Sequence, residues 1–336
     1  MSPHLAGALP LAAGLSLLPQ SVVSGLVMGM TYALVAAGLA LIWGVVDVVN
    51  FAHGEYMLIA MYVTLFATYR LGVDPLLVLP VNAVLLFVAG YLTYRTVIAR
   101  VMDAPMLAQI FATFGLVLII RYGALFLAGP YTESVDSFVL SGHTDVAGVV
   151  VSHPQAATAA VSVLTLATLF WFLRRTRTGK AIRATAQDWE AARVMGIDPD
   201  RVNAITWGVG IAAVGVAGTM VATFFPTQPE LTPTTWTLIA FAAVALGGFG
   251  SVLGAVLGGV GISLVEHLGA TLLNPSYKEL YVFVVFIAAL VLREDVTSVE
   301  PLPCGRAVEQ NTLTDCSRTL MERCTASHEG CVTPPT

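Results

Sequence analysis

The sequence is short of charge: only 11% of its 336 residues are Asp, Glu, Lys or Arg, while 57% are hydrophobic. A soluble domain carries about 25% charged residues, so the chain lacks the polar surface that water requires, which excludes a soluble enzyme. Basic residues are in deficit, 16 Lys+Arg against 21 Asp+Glu. With no basic face standing out, a nucleic-acid partner is excluded. Cysteine is missing from residues 1–303, and Cys304, Cys316, Cys324 and Cys331 stand at spacings that fit no zinc pattern. The histidines (His4, His53, His143, His153, His267, His328) are scattered without ligand spacing, so no metal site is expected. No G-x-x-x-x-G-K-[ST] occurs; Gly179-Lys180 is followed by Ala181, which cannot hold magnesium. With no nucleophile–base constellation either, the chain is expected to be no enzyme, to bind no cofactor itself and to have no ATPase site.

What it has is apolar runs. Mean hydropathy is +0.81, and several runs reach the roughly 18 residues that cross a bilayer core. The pattern predicts an all-α, polytopic transmembrane helical bundle of about eight spans. These run near 21–45, 56–73, 75–94, 107–129, 155–173, 204–225, 237–265 and 279–292. The seventh, at about 1.5 Å per residue, would reach about 43 Å as one helix. A tilted, broken or re-entrant glycine-rich segment is therefore expected there. Residues 1–20 read as a lead-in with no Lys or Arg ahead of their apolar stretch, unlike a cleaved signal peptide. Residues 21–292 form the membrane domain, and 293–336 read as a disordered polar tail.

Seven of the twelve Lys+Arg before residue 293 fall in one loop: Arg174, Arg175, Arg177, Lys180, Arg183, Arg193 and Arg201. Segment 130–154 has none, but has Glu133, Asp136 and Asp145. The positive-inside rule places the 174–203 loop in the cytoplasm and 130–154 outside. Within the basic loop, residues 181–196 are rich in helix formers, with Gly196 as a stop and Pro199 beyond. Read as one helix, Ala181, Thr185, Trp189, Ala192 and Gly196 share a face, opposite Arg183, Gln187 and Glu190. Small residues beside a Trp suit close approach by another protein. The same helix could equally pack on the chain's own membrane face, with basic residues meeting lipid headgroups.

Polar residues at membrane depth are functional candidates. Asp47, Asn50, His53 and Glu55 sit where two spans meet. A substrate with an ammonium and a carboxylate could use them, or they could form an ordinary interhelical turn, with Asn50 and His53 satisfying backbone groups. Arg121, in the fourth span, could pair with an acid or line a cavity, but near the outer end of that span it is expected to snorkel to the interface. Gly25 and Gly29, and Gly250, Gly254 and Gly258, repeat every four residues as helix-packing ridges. They serve either internal packing or a seam with a second subunit.

Two resemblances sharpen this reading. Glu190-Ala191-Ala192, three residues, then Gly196 resembles the E-A-A-x3-G loop of ATP-binding-cassette importer permeases, without the downstream I-x-L-P. The block at 25–55, ending N-F-A-H-G-E, is similar to the opening of the branched-chain amino acid ABC-importer permeases. T-R-T-G-K-A-I-R-A-T-A-Q-D, M-G-I-D-P-D-R-V and A-L-G-G-F-G-S-V-L-G-A at 245–255 match the same family. The long acidic tail from Arg293 departs from it.

The resemblance implies a membrane-spanning subunit, in a bacterial inner membrane, that moves leucine, isoleucine or valine. The implied partners are ABC ATPase subunits carrying ATP-Mg, a second related permease and a periplasmic or lipid-tethered binding protein, besides membrane lipid. It makes Arg183, Thr185, Trp189, Glu190, Ala191, Ala192 and Gly196 the coupling segment. Related permeases serve urea, amides or other amino acids. A rival class, an ion-coupled secondary transporter, would need more ionisable residues inside the spans; a non-transporting scaffold would leave the N-F-A-H-G-E block unexplained.

Overall fold

The computed structural model describes residues 17–135, 141–146 and 148–292. Most of the expected lead-in, the whole tail and all four cysteines lie outside them. By internal contacts the chain divides into 1–290 and 291–336, and of the second unit only residues 291 and 292 are described.

Eleven α-helices occur among the described residues. They are α1 (Leu18–Val46), α2 (His53–Leu71), α3 (Pro75–Thr96), α4 (Met106–Ala128), α5 (His153–Arg175), α6 (Arg177–Gln187), α7 (Trp189–Val194), α8 (Pro199–Val221), α9 (Leu231–Gly247), α10 (Val252–Leu272) and α11 (Lys278–Leu292). A short antiparallel hairpin, β1 (His143–Val146) and β2 (Val149–Ser152), precedes α5, with His143 opposite Ser152.

Local chemistry sets the helix starts. Pro19 stands in the first turn of α1, Pro75 opens α3 and Pro199 opens α8, where a missing N–H costs nothing. The Asp74 side chain accepts from Leu76 N at 3.0 Å, and Asp198 accepts from Asp200 N at 3.1 Å.

Six helices, α1, α3 with its following turn, α4, α5, α8 and α10, are long and apolar enough to cross a membrane. Beside them run α2, α9 and α11. The expected seventh span is not one helix. Gly248 and Gly250 adopt φ of 101° and 79°, values open to glycine because it has no Cβ. Ser251 then caps α10 by accepting from Gly254 N at 3.0 Å. The long apolar run is thus an antiparallel helical hairpin, α9 and α10, in which Gly254 lies on the Gly247 carbonyl and Gly258 on that of Ala243. The hairpin adds a helix to the sequence-based count of about eight.

One end of the bundle gathers the start of α1, the β-hairpin and the loop before α9. Gln20 Nε2 donates to Val150 O at 2.8 Å, and its Oε1 accepts from Val150 N at 2.7 Å. Tyr69 OH donates to Ser134 O at 2.8 Å, and Glu133 pairs with Thr227. The opposite end carries α6, α7 and the Gly248–Ser251 turn, where Gly44, Arg174, Arg183 and Gly250 line a common cavity.

Helices α1 and α8 form the centre, each with 78% of its most apolar stretch buried, against 11% for α4. They meet at Gly38 and Gly210, where a Cβ on Gly38 would stand 2.6 Å from the Gly210 carbonyl oxygen. Asn82 Nδ2 ties α3 to α2 and α8, lying 3.0 Å from Thr64 Oγ1 and 2.7 Å from Thr219 Oγ1. The glycine ridge of α1 packs within the chain: Gly25 meets Leu264 and Gly29 meets Val260, both on α10. Replacing Gly29 by Leu should therefore destabilise the isolated chain by about 1–3 kcal/mol through overpacking. Thermal unfolding in detergent, with no second subunit present, measures this; an unchanged midpoint would mean that α1 and α10 do not rely on this contact.

Candidate functional site

The N-F-A-H-G-E block occupies a break between α1 and α2. Asp47 caps α1 in the left-handed region (φ 55°), the one non-glycine residue with positive φ among those described; Asp tolerates this better than most residues. Asn50, His53 and Glu55 are buried. Asn50 Oδ1 accepts from Ala52 N at 3.1 Å, and His53 Nε2 lies 2.9 Å from Val35 O in the middle of α1. Thr113 Oγ1 of α4 donates to Val49 O at 3.0 Å. Gly54 N donates to Thr237 Oγ1 at 3.0 Å, and Gly54 packs so closely on the Pro233 backbone of α9 that a side chain there would collide.

Arg121 does not snorkel. Its guanidinium reaches back to Glu55 Oε1 with both Nε, at 3.0 Å, and Nη2, and Nη2 also donates to Thr234 Oγ1 at 3.1 Å. The Glu55 side chain is 2% exposed and that of Arg121 25%. An acid one turn into α2 is an ion-pair partner in low dielectric, which outweighs the path to the interface. Sequence reasoning allowed Arg121 an acidic partner but did not say which acid. Asn50 Nδ2, His53 Nδ1 and Glu55 Oε2 keep no hydrogen-bond partner among the described residues. None of Asp47, Asn50, His53 and Glu55 lines either of the two cavities described below.

The break meets the α9–α10 turn. A Cβ on Gly44 would touch Gly250, the Trp43 and Phe249 rings lie 4.5 Å apart, and those of Phe51 and Phe241 lie 5.4 Å apart. The blocks at 25–55 and 245–255, about 200 residues apart in sequence, thus meet at Trp43, Gly44, Phe249 and Gly250.

The basic loop is two helices rather than one. Asp188 is extended (φ −159°, ψ 105°), and its side chain caps α7 by accepting from Ala191 N at 2.9 Å. Asp competes for backbone donors in this way and favours caps over helix interiors. The break ends the helical phase, so Thr185 and Ala192 are buried while Trp189 is 52% exposed. Arg183, Glu190, Ala191 and Gly196 are exposed too. Gly196 takes φ 83° and ends the segment as expected. Just before it, Val194 and Met195 are 87% and 81% exposed, giving α7 an apolar tip. α6 is seated firmly: Thr176 caps it by accepting from Gly179 N at 2.9 Å, Gly179 lies on Leu173, and Ile182 is buried. Behind it, a cavity of about 330 Å³ separates α1, α5 and α6 from the Gly248–Ser251 turn.

A larger cavity, about 600 Å³, opens near the β-hairpin end among α1, α9, α10 and α11. It holds Glu266, whose Oε2 accepts from Tyr32 OH at 2.8 Å, and Lys278. In sequence Glu266 is a charge near the end of an apolar run. Its pairing with Tyr32, more than 230 residues away in sequence, has no local signal.

Helices of this length and apolarity, with the loop pair α6–α7 at one end, define a multi-pass α-helical membrane protein. The chain belongs to the family described as branched-chain amino acid transport system / permease component, which it matches over residues 21–290. It is 30% identical over 285 residues to the high-affinity branched-chain amino acid transport system permease protein LivH of Escherichia coli K12, covering 81% of this chain and 92% of that one. Identity to the corresponding protein BraD of Pseudomonas aeruginosa is 29% over 286 residues, 82% and 93% of the two chains. The probable LivH permease of Methanocaldococcus jannaschii is 31% identical over 250 residues, 70% and 76% of the two. Among solved structures, PsaBC from Streptococcus pneumoniae in complex with Fab aligns with a TM-score of 0.49 at 10% identity, over 87% of this chain and 99% of that one. Family membership agrees with the inner-membrane placement expected from sequence.

Arg121→Met should leave Glu55 buried without its counter-charge and cost about 3 kcal/mol. The double substitution with Glu55→Gln should cost less than Arg121→Met alone. Unfolding midpoints of the three variants in detergent decide it, and a double variant as unstable as the sum of its parts would show the two side chains to be uncoupled.

Proposed function

We propose that the chain is the membrane-spanning permease subunit of an ATP-driven importer for leucine, isoleucine and valine. The family match across 21–290 carries this reading, with LivH and BraD indicating the substrate class. ATP-Mg is bound and hydrolysed by partner ATPase subunits, since this chain has no P-loop. A second related permease completes the pathway, and a periplasmic or lipid-tethered binding protein delivers substrate to the β-hairpin end. Specificity then rests largely on that binding protein, in keeping with the few polar groups in the spans.

The geometry supports a way for the partners' motion to enter. Trp189, Glu190, Val194 and Met195 project from the basic end, where an ATPase groove can take them. The segment is short and joined to α6 by the single residue Asp188, so a push on α7 reaches α6 directly. Buried Ile182 packs α6 within the core of the bundle, alongside α1 and α8. Those two central helices meet at glycines, a contact with little side-chain slack, and α1 runs on to Tyr32 in the larger cavity. Rotating α6 therefore turns the helix that links the two ends. Asp47, Asn50, His53 and Glu55 serve in this reading at the joint between α1 and α2, beside the pathway.

Affinity purification from native membrane should recover a P-loop ATPase and a second permease. Trp189→Ala with Glu190→Ala should remove the ATPase subunit from the eluate at least about tenfold, the loss of an aromatic hot spot, while the chain still reaches the membrane. Uptake of labelled leucine by the reconstituted assembly should require ATP. Uptake by the chain alone on an ion gradient would overturn the importer reading, and competition by urea in place of isoleucine and valine would overturn the substrate.

A further inference from the structure

The larger cavity is absorbed neither by the α6–α7 segment nor by the N-F-A-H-G-E joint. Its volume, about 600 Å³, falls within the range of small-molecule sites. One wall is aromatic: Trp236 meets Tyr32 edge-on at 5.3 Å and Phe225 at 5.9 Å. Ile239 adds an aliphatic surface.

The other wall is charged. Glu266 is 8% exposed, toward the outer end of α10, where an ionisable residue is costly to keep. Tyr32 satisfies one of its oxygens. The other, Oε1, has Lys278 Nζ at 3.9 Å, beyond hydrogen-bond length, and the Lys278 side chain is 57% exposed. A pair held only for structure would close to contact length, because a loose pair gains little against desolvation. Here instead a carboxylate oxygen and an exposed ammonium face the same space without closing on each other, with His267 and Glu279 also on its lining, next to an apolar wall. That is the complement of a zwitterion with an aliphatic side chain.

We propose that this cavity binds a free α-amino acid. Glu266 Oε1 accepts from the substrate ammonium, Lys278 Nζ donates to its carboxylate, and the side chain lies against Trp236 and Ile239. Gln155 and Gln228 also line the cavity and lie by the β-hairpin end, so the site is the first that substrate meets after release from a binding protein there. The inference rests on the importer reading above and assigns that importer a substrate site within this chain.

The test uses the whole importer in proteoliposomes, with its ATPase subunits, second permease and binding protein, and follows leucine uptake and ATP hydrolysis in parallel. Lys278→Met and Glu266→Gln should each lower leucine uptake at least about tenfold, the loss of one charge-assisted hydrogen bond. Hydrolysis stimulated by the binding protein should stay within about twofold of wild type. Lys278 is exposed enough that its substitution leaves folding intact, so the test stands even if Glu266→Gln does not assemble. Uptake by Lys278→Met within about twofold of wild type, or uptake and hydrolysis falling together, would overturn the site while the importer stands. Failure of the wild-type assembly to take up leucine would overturn the importer reading, and this site with it.

Discussion

A helix in a bilayer satisfies its own backbone, and a break in one does not. Two of the turns between apolar helices, at residues 47–52 and 248–251, pack on each other, and much of the surrounding structure answers the need that follows. At the first break Thr113 and Asn50 supply hydrogen bonds to backbone that no helix serves, and His53 reaches a carbonyl of α1. At the second, Gly248 N donates to Val244 O at 2.7 Å and Ser251 starts the next helix. The breaks then shield each other through Gly44 and Gly250 and the rings of Trp43, Phe51, Phe241 and Phe249. Because each closes the other, the motifs that carry them are tied together although remote in sequence.

From this joint the central role of α1 follows. It is uncharged over its whole length, meets α8 at one glycine contact and α10 at two more, and touches both cavities. A helix held this closely on several sides moves as a body. The same helix that contributes Gly44 beside the basic loop contributes Tyr32 beside Glu266. The importer reading proposed above assigns to this one helix the passage of events from one membrane face to the other.

Much of this was legible in the residues. Apolar runs placed six of the helices to within about three residues and began α8 five residues late, because hydropathy acts locally. The basic loop and its Gly196 stop were readable for the same reason. The reading failed where a local signal had two outcomes. Residues 181–196 keep a helical period, yet Asp188 prefers to cap, and the cap moved Trp189 off the face of Thr185. At residues 237–265, of the tilted, broken or re-entrant forms expected, the structure takes the broken one, a hairpin turning at Gly248 and Gly250. Arg121 had a path to the interface, and only the position of Glu55 made the inward turn better.

By itself, the sequence determined that the chain lives in a membrane, where its helices lie and to which family it belongs, since these depend on composition, period and motif. Only the tertiary structure decided which charges meet. Glu55 finds Arg121, and Glu266 finds Tyr32 and Lys278, across separations that no periodicity encodes. It also decided that Gly25 and Gly29 of α1 pack on α10, while Gly254 and Gly258 of α10 pack on α9. Contacts of this kind depend on how helices cross, and a crossing is set by the packing of every neighbour at once.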